Sequence, residues 1–274
     1  MNTRFTKTCQ ALGTGLCTLA LYGLALCTPL VWGQGVDAVS QQLAPTGTLR
    51  AVINLGNPIL ARKDPATGQV AGVSVDLAHA LAQQLKVPLT LIPVTSAGQS
   101  VEVVTRGQAD VGFFAIDPVR GQGIAFTPPY VVIEGSYLVK QDSPLLRNEQ
   151  VDQASHRVVV GLGSAYDLFL TRALKQAQVV RAPTSPQVVS FFMAGAYDVA
   201  AGVKQQLEAD AQQTPGVRLL PGHFMLIEQA MGQPKDRSPQ AREALSRFVA
   251  EMKASGFVRD SLQRHRIEGA MIAP

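Results

Sequence analysis

Two short segments carry residue types able to hold a small anion. In Asp117-Pro118-Val119-Arg120 a proline follows an aspartate, the order of a helix N-cap and first helical position, where the carboxylate accepts a first-turn N–H and the proline needs none to donate. Arg120 adds a planar fork of donors that can pair both oxygens of a carboxylate. By itself the residue type fits a solvated surface arginine as well. In Gly163-Ser164-Ala165-Tyr166 a small-residue turn leaves an apolar run and opens a helix, so backbone N–H groups stand at the positive end of a helix dipole, a natural anion site. Ser164 also fits a plain helix cap, and the two roles are compatible.

Other chemistries find no residues. Cys9, Cys17 and Cys27 all precede residue 33, so the chain beyond has neither disulfide nor thiol chemistry. His79, His156, His223 and His265 are isolated and lack metal-ligand spacing, so neither a metal nor a cofactor is expected. The net charge of +4 includes Arg4 and Lys7; without them 22 basic residues face 20 acidic ones. The basic residues form no run or stripe, which argues against a nucleic-acid partner.

Residues 1–33 read as a secretory signal. Arg4 and Lys7 make its positive end, Ala11 to Cys27 its apolar stretch and Val31-Trp32-Gly33 its cleavage site. Export to the periplasm follows. The uncharged span from Thr8 to Val36 is also long enough for a retained membrane anchor. Lipidation at Cys27 is disfavoured by bulky Leu24 at a position that normally holds a small residue.

An apolar content of 46% supports a sizeable core. After a short polar lead-in, Leu49–Asn54 reads as a strand. Val75, Leu77, Ala78, Leu81 and Leu85 recur at helical spacing until Pro88, and Leu89–Val94 is a second strand. Ser100–Arg106 and Ala109–Ile116 repeat the cycle as helix and buried strand. From Arg157 the alternation restarts: strands over 158–161, 179–182 and 198–201, helices over 167–174, 187–194 and 204–212. A strand over 225–231 and a helix over 239–254, with Ser238 as N-cap and Pro239 as first residue, close the chain. Strand–helix alternation predicts βαβ units, mainly parallel sheets and ligands at the carboxyl ends of strands.

Gly107-Gln-Ala-Asp110-Val-Gly-Phe-Phe-Ala-Ile-Asp117-Pro-Val-Arg120, followed by Ile124-Ala-Phe-Thr-Pro-Pro-Tyr130, resembles the signature of family 3 extracellular solute-binding proteins. The likeness extends through Gly72-Val-Ser-Val-Asp76, Ile133-Glu-Gly-Ser-Tyr-Leu-Val139, Gly195-Ala-Tyr-Asp198 and the final helix. It implies an α/β, two-lobed periplasmic binding protein type II fold with two crossover strands, one lobe formed by residues 36–133 plus 226–274 and the other by 134–225. The protein would be a non-enzymatic monomer, the substrate-binding component of an ABC importer, passing a small carboxylate to a membrane permease. A cyclohexadienyl dehydratase-like enzyme and a periplasmic ligand sensor are the alternatives.

The resemblance also implies roles. Arg120 matches the arginine that clamps the ligand carboxylate, and the Ser164 turn, from Gly163 to Tyr166, supplies the opposing grip. Asp117 stands where the family usually has Ser or Thr and is read first as a cap, second as a charge for a cationic group. Val203 occupies the position of the aspartate that usually holds the ligand ammonium. Leu55-Gly56-Asn57 replaces the usual aromatic platform, leaving Asn57 and Phe113 or Phe114 to line the cleft. A ligand lacking an α-amine, or one whose amine meets Asp117, Glu134 or Glu228, is therefore expected.

Overall fold

The computed structural model describes residues 34–274; the segment read as a signal, residues 1–33, lies outside them. The lead-in is not merely polar linker but a helix, α1 (Gln34–Leu43). Then come β1 (Leu49–Asn54), β2 (Arg62–Lys63), β3 (Val70–Ala71), α2 (Val73–Leu85), β4 (Leu89–Val94), α3 (Ala97–Thr105), β5 (Val111–Ala115) and β6 (Ile124–Lys140). β7 (Arg157–Gly161), α4 (Ala165–Ala173), β8 (Gln178–Ala182), α5 (Val188–Ala194), β9 (Val199–Val203), α6 (Lys204–Gln213) and β10 (Val217–Leu219) follow. The chain ends with β11 (Met225–Pro234), α7 (Pro239–Ala254), α8 (Phe257–Arg264) and β12 (Met271–Ile272).

One sheet runs β4-β1-β5-β11-β6-β9-β7-β8. Each end is a parallel triplet, β4-β1-β5 and β8-β7-β9, and the long strands β11 and β6 join them antiparallel. The two ends have separate cores, which makes the fold two-lobed. One face of the first triplet packs Leu77, Leu81, Leu245 and Phe248 of α2 and α7, and the other packs Val104 and Phe114. The second triplet is covered by Tyr166 and Leu170 on one face and Phe192 and Leu207 on the other. Burial on both faces explains the near-continuous apolar strands such as Val111–Ala115, every residue of which is buried.

The elements follow from local chemistry. Ser238 accepts the Ala241 N–H at 3.1 Å and Pro239 opens α7, whose Ala241, Leu245, Phe248 and Val249 fall on one buried face. Helix α3 starts earlier than its apolar spacing suggests, because Ser96 caps it by accepting the Gln99 N–H. The two Gly-x-x-Asp segments do the same job in each lobe. Asp110, before β5, accepts the Arg50 N–H at 3.0 Å, and Asp198, before β9, accepts the Arg157 N–H at 2.7 Å. Each aspartate thereby ties the start of one parallel strand to its neighbour.

The second crossing element, β6, is 17 residues long despite Pro128 and Pro129. Proline has no N–H for the ladder. The register slips opposite them, between Gln229 and Gly232 of β11, and the Thr127 hydroxyl accepts the Met231 N–H at 3.2 Å in compensation. β6 pairs with β11 from Ile124 to Gly135 and with β9 from Gly135 onward. At this switch a Cβ on Gly135 would stand 2.7 Å from the Met225 side chain, so glycine permits the close approach of the crossing strands.

Candidate functional site

The turn after β7 is tightly built. Gly163 sits at φ +71°, the left-handed region that glycine enters without a Cβ penalty. Ser164 accepts the Asp167 N–H at 3.0 Å while the Asp167 carboxylate accepts the Gly163 N–H at 2.9 Å, and Arg181 holds that carboxylate at 3.0 Å. With the turn thus satisfied, the N–H groups of Ala165 and Tyr166 at the head of α4 find no acceptor among the described residues.

Arg120 approaches the same turn from the other lobe, out of the loop after β5. Its guanidinium donates to the Ala115 carbonyl at 3.1 Å and to the Gly163 carbonyl at 3.0 Å, yet it forms no ion pair among the described residues. The residue is only 4% exposed. Loss of water pulls its pKa well below the usual arginine value, to about 10, with the nearby Asp117 charge acting in the opposite direction. A buried cation with unused donors beside orphan helix N–H groups is a place for an anion.

Asp117 closes the lobes rather than facing the cavity. Its Oδ1 accepts the Val119 N–H at 2.8 Å, as the capping reading requires, though the turn that follows is a short 3₁₀ helix, Arg120–Gln122. Its Oδ2 is paired at 2.7 Å with Arg172 of α4. The charge that the second reading of Asp117 would offer to a ligand cation is therefore committed to Arg172. Glu134 is also occupied: Lys204 at 2.8 Å and His223 at 3.1 Å hold its carboxylate, and the Lys204 hydrogen bond foremost keeps it below the usual carboxylate range.

A cavity lies where these elements meet. Arg120, Ser164, Ala165, Tyr166, Asn57, Phe114 and Val203 all border it. Asp117, Gly163, Glu134 and Glu228 do not; the first two brace its walls. Asn57 Oδ1 is buried without a partner. Phe113 and Phe114 both reach the cavity, but each is also core, Phe113 edge-on to Tyr130 and Phe114 to Phe126.

Sequence reasoning missed Gln206 and Asp210 of α6, as well as Asn54, Ser74 and Gln229, which also border the cavity. A signal existed for α6: Val203, Gln206 and Asp210 recur at steps of three and four, one helical face. Among the described residues no group of three or more His, Cys, Asp or Glu is placed to hold a metal ion, and no helix is long and apolar enough to cross a membrane.

A two-lobed α/β clamp with an anion-receptive cleft defines the class. The chain belongs to the bacterial extracellular solute-binding proteins, family 3, whose model matches residues 49–266. It is 22% identical over 201 residues to a glutamine-binding protein of Geobacillus stearothermophilus, covering 72% of this chain and 76% of that protein. It is 28% identical over 165 residues to the membrane-bound lytic murein transglycosylase F of Aeromonas hydrophila, covering 58% of this chain but only 32% of that longer protein. In fold it is similar to an amino acid ABC transporter substrate-binding protein from Streptococcus pneumoniae bound to L-arginine, with a TM-score of 0.70, 20% identity, and coverage of 82% of this chain and 97% of the other.

Proposed function

We propose that the protein is the substrate-binding component of an ABC importer, capturing an amino acid or related small carboxylate between lobes formed by residues 36–133 plus 226–274 and 134–225. Residues 1–33 direct it to the periplasm, where it acts as a monomer and delivers its ligand to a membrane permease. One observation carries the reading: the buried Arg120 guanidinium and the N–H groups of Ala165 and Tyr166 border one cavity, and among the described residues the first has no ion-pair partner and the others no acceptor. The ligand carboxylate supplies the missing counter-charge, gripped by both lobes at once. Closure by hinge motion at the two crossing strands follows from that geometry, and the Arg172–Asp117 pair and the Arg120–Gly163 bond latch the closed form.

Binding rather than turnover is favoured by the cavity lining, whose charged residues are Arg120 and Asp210 alone. Among the described residues Asp210 is the one carboxylate that borders the cavity, so a paired-carboxylate mechanism finds no second partner there. The test is a thermal-shift screen of the purified protein against amino acids, organic acids and aromatic carboxylates. A ligand at a hundred times its dissociation constant stabilises by about 2.7 kcal/mol. A carboxylate that stabilises the wild type and is recovered unchanged supports the reading; a screen in which no carboxylate does so refutes it.

A further inference from the structure

The cavity extends past the strand end at Val203 along α6, where Gln206, Leu207 and Asp210 border it. Asp210 is half-buried, and its Oδ1 accepts a hydrogen bond from Gln206 Nε2 at 2.8 Å. Among the described residues it has no cationic partner, whereas Asp110, Asp117 and Asp167, which are buried, all have arginine partners. Arg120, which borders the same cavity, is a cation without an ion-pair partner among the described residues. The same cavity is also bordered by the apolar side chains of Val188, Val203 and Leu207 and by Gly202.

Resting on the receptor reading, we infer that Asp210 is the counter-charge for a cationic group of the ligand, so that the cleft takes an elongated zwitterion: a carboxylate at Arg120 and the α4 turn, an apolar linker along Val188, Val203 and Leu207, and an ammonium or guanidinium at Asp210. The position matters. Asp210 lies two turns along α6 from Val203, about 10 Å at 1.5 Å per residue. A cation held there is remote from Val203, the place where the resemblance puts the partner of an α-ammonium. The apolar side chain at Val203 leaves an α-ammonium without a partner, which burial penalises. Burial raises the Asp210 pKa despite the Gln206 hydrogen bond, as befits a carboxylate still waiting for its cation.

The experiment uses paired probes that differ only in the distal charge: 4-aminobutyrate, 5-aminopentanoate and 6-aminohexanoate against butyrate, pentanoate and hexanoate, with lysine against norleucine. Calorimetric titration of the wild type is expected to give at least tenfold tighter binding for the charged member of the best-fitting pair. Asp210→Asn is expected to abolish that difference while leaving the uncharged carboxylate's affinity within about twofold, since the amide keeps the Gln206 hydrogen bond and the shape. Equal binding of charged and uncharged members, or a preference that survives Asp210→Asn, overturns the inference. If another carboxylate binds through Arg120 and no ω-amino acid does, the inference falls and the receptor reading stands. If no carboxylate of any kind binds, both fall.

Discussion

Replacing Arg120 by methionine keeps an apolar stem in the wall and removes the guanidinium, and two opposing effects then decide the stability of the unliganded protein. The drop in pKa to about 10 corresponds to roughly 3 kcal/mol of unfavourable burial, at about 1.4 kcal/mol per unit; the substitution relieves it. Against this, the carbonyls of Ala115 and Gly163 lose a charged donor, each such bond contributing about 1.5–3 kcal/mol. The two bonds together come to about 3–6 kcal/mol, so a net loss of about 0–3 kcal/mol remains. At about 2–4 °C per kcal/mol for a chain of this size, the unliganded midpoint is expected to fall by no more than about 12 °C. Ligand binding has no such compensation. Truncating one partner of a buried charged pair costs about 2–5 kcal/mol, roughly 30- to 5,000-fold in affinity. Fluorimetric melting with and without ligand, followed by calorimetry, reads both effects. A variant that keeps the wild-type ligand-induced shift refutes the anion grip. One that melts more than about 15 °C lower without ligand shows instead that Arg120 is a strut.

Other outcomes follow from the same geometry. Arg172→Ala leaves Asp117 buried without its cation; because the Arg172 side chain is 43% exposed, the cost is discounted to about 1 kcal/mol, and binding about fivefold weaker with a larger radius of gyration in X-ray scattering is expected. Unchanged affinity would remove the latch. Burial alone would raise the Asp76 pKa, but hydrogen bonds from Ser261, Arg264 and His265 hold it below the usual aspartate value. A depressed carboxylate pKa stabilises the fold above the unfolded value and loses that contribution as pH falls through the folded one, so in urea titrations the gap between wild type and Asp76→Asn should close below about pH 4; a constant gap counts against this account. For Asp210 the raised pKa has the reverse sign: affinity for a cationic ligand should begin to fall on acidification at a pH above the ordinary aspartate range, and a ligand-affinity profile flat to pH 4 would contradict it. Phe248→Ala empties a site that is 1% exposed, with an expected loss of about 3–5 kcal/mol by chemical denaturation and no change in ligand specificity.

Elements that owe their existence to local pattern were readable in advance. Helix α7 announced itself through Ser238, Pro239 and a repeating apolar face, and β5 through an unbroken apolar run. The long β6 was harder to read, because two prolines argue against a central strand and their tolerance depends on a register slip in a partner strand a hundred residues away. The site divides in the same way. The α4 turn has a local signature in Gly163 and Ser164, but the commitment of Asp117 to Arg172, and hence its loss as a ligand partner, joins residues that no spacing relates. Asp210 was overlooked because α6 is polar almost throughout, with Leu207 its one buried side chain; on such a helix a cavity-facing carboxylate looks like any solvated one until the opposite wall is in place.

The crossing strands have a consequence for how such a receptor can diversify. Everything from β7 to β10, including the α4 turn and α6, lies on one uninterrupted stretch of chain that leaves and re-enters through β6 and β11. The stretch has its own core and meets the rest along a hydrogen-bonded seam. Recombination at Gly135 and Met225, which pair where β6 passes from β11 to β9, is therefore expected to move the α4 turn and α6 together as one cassette, with Arg120 remaining on the recipient side.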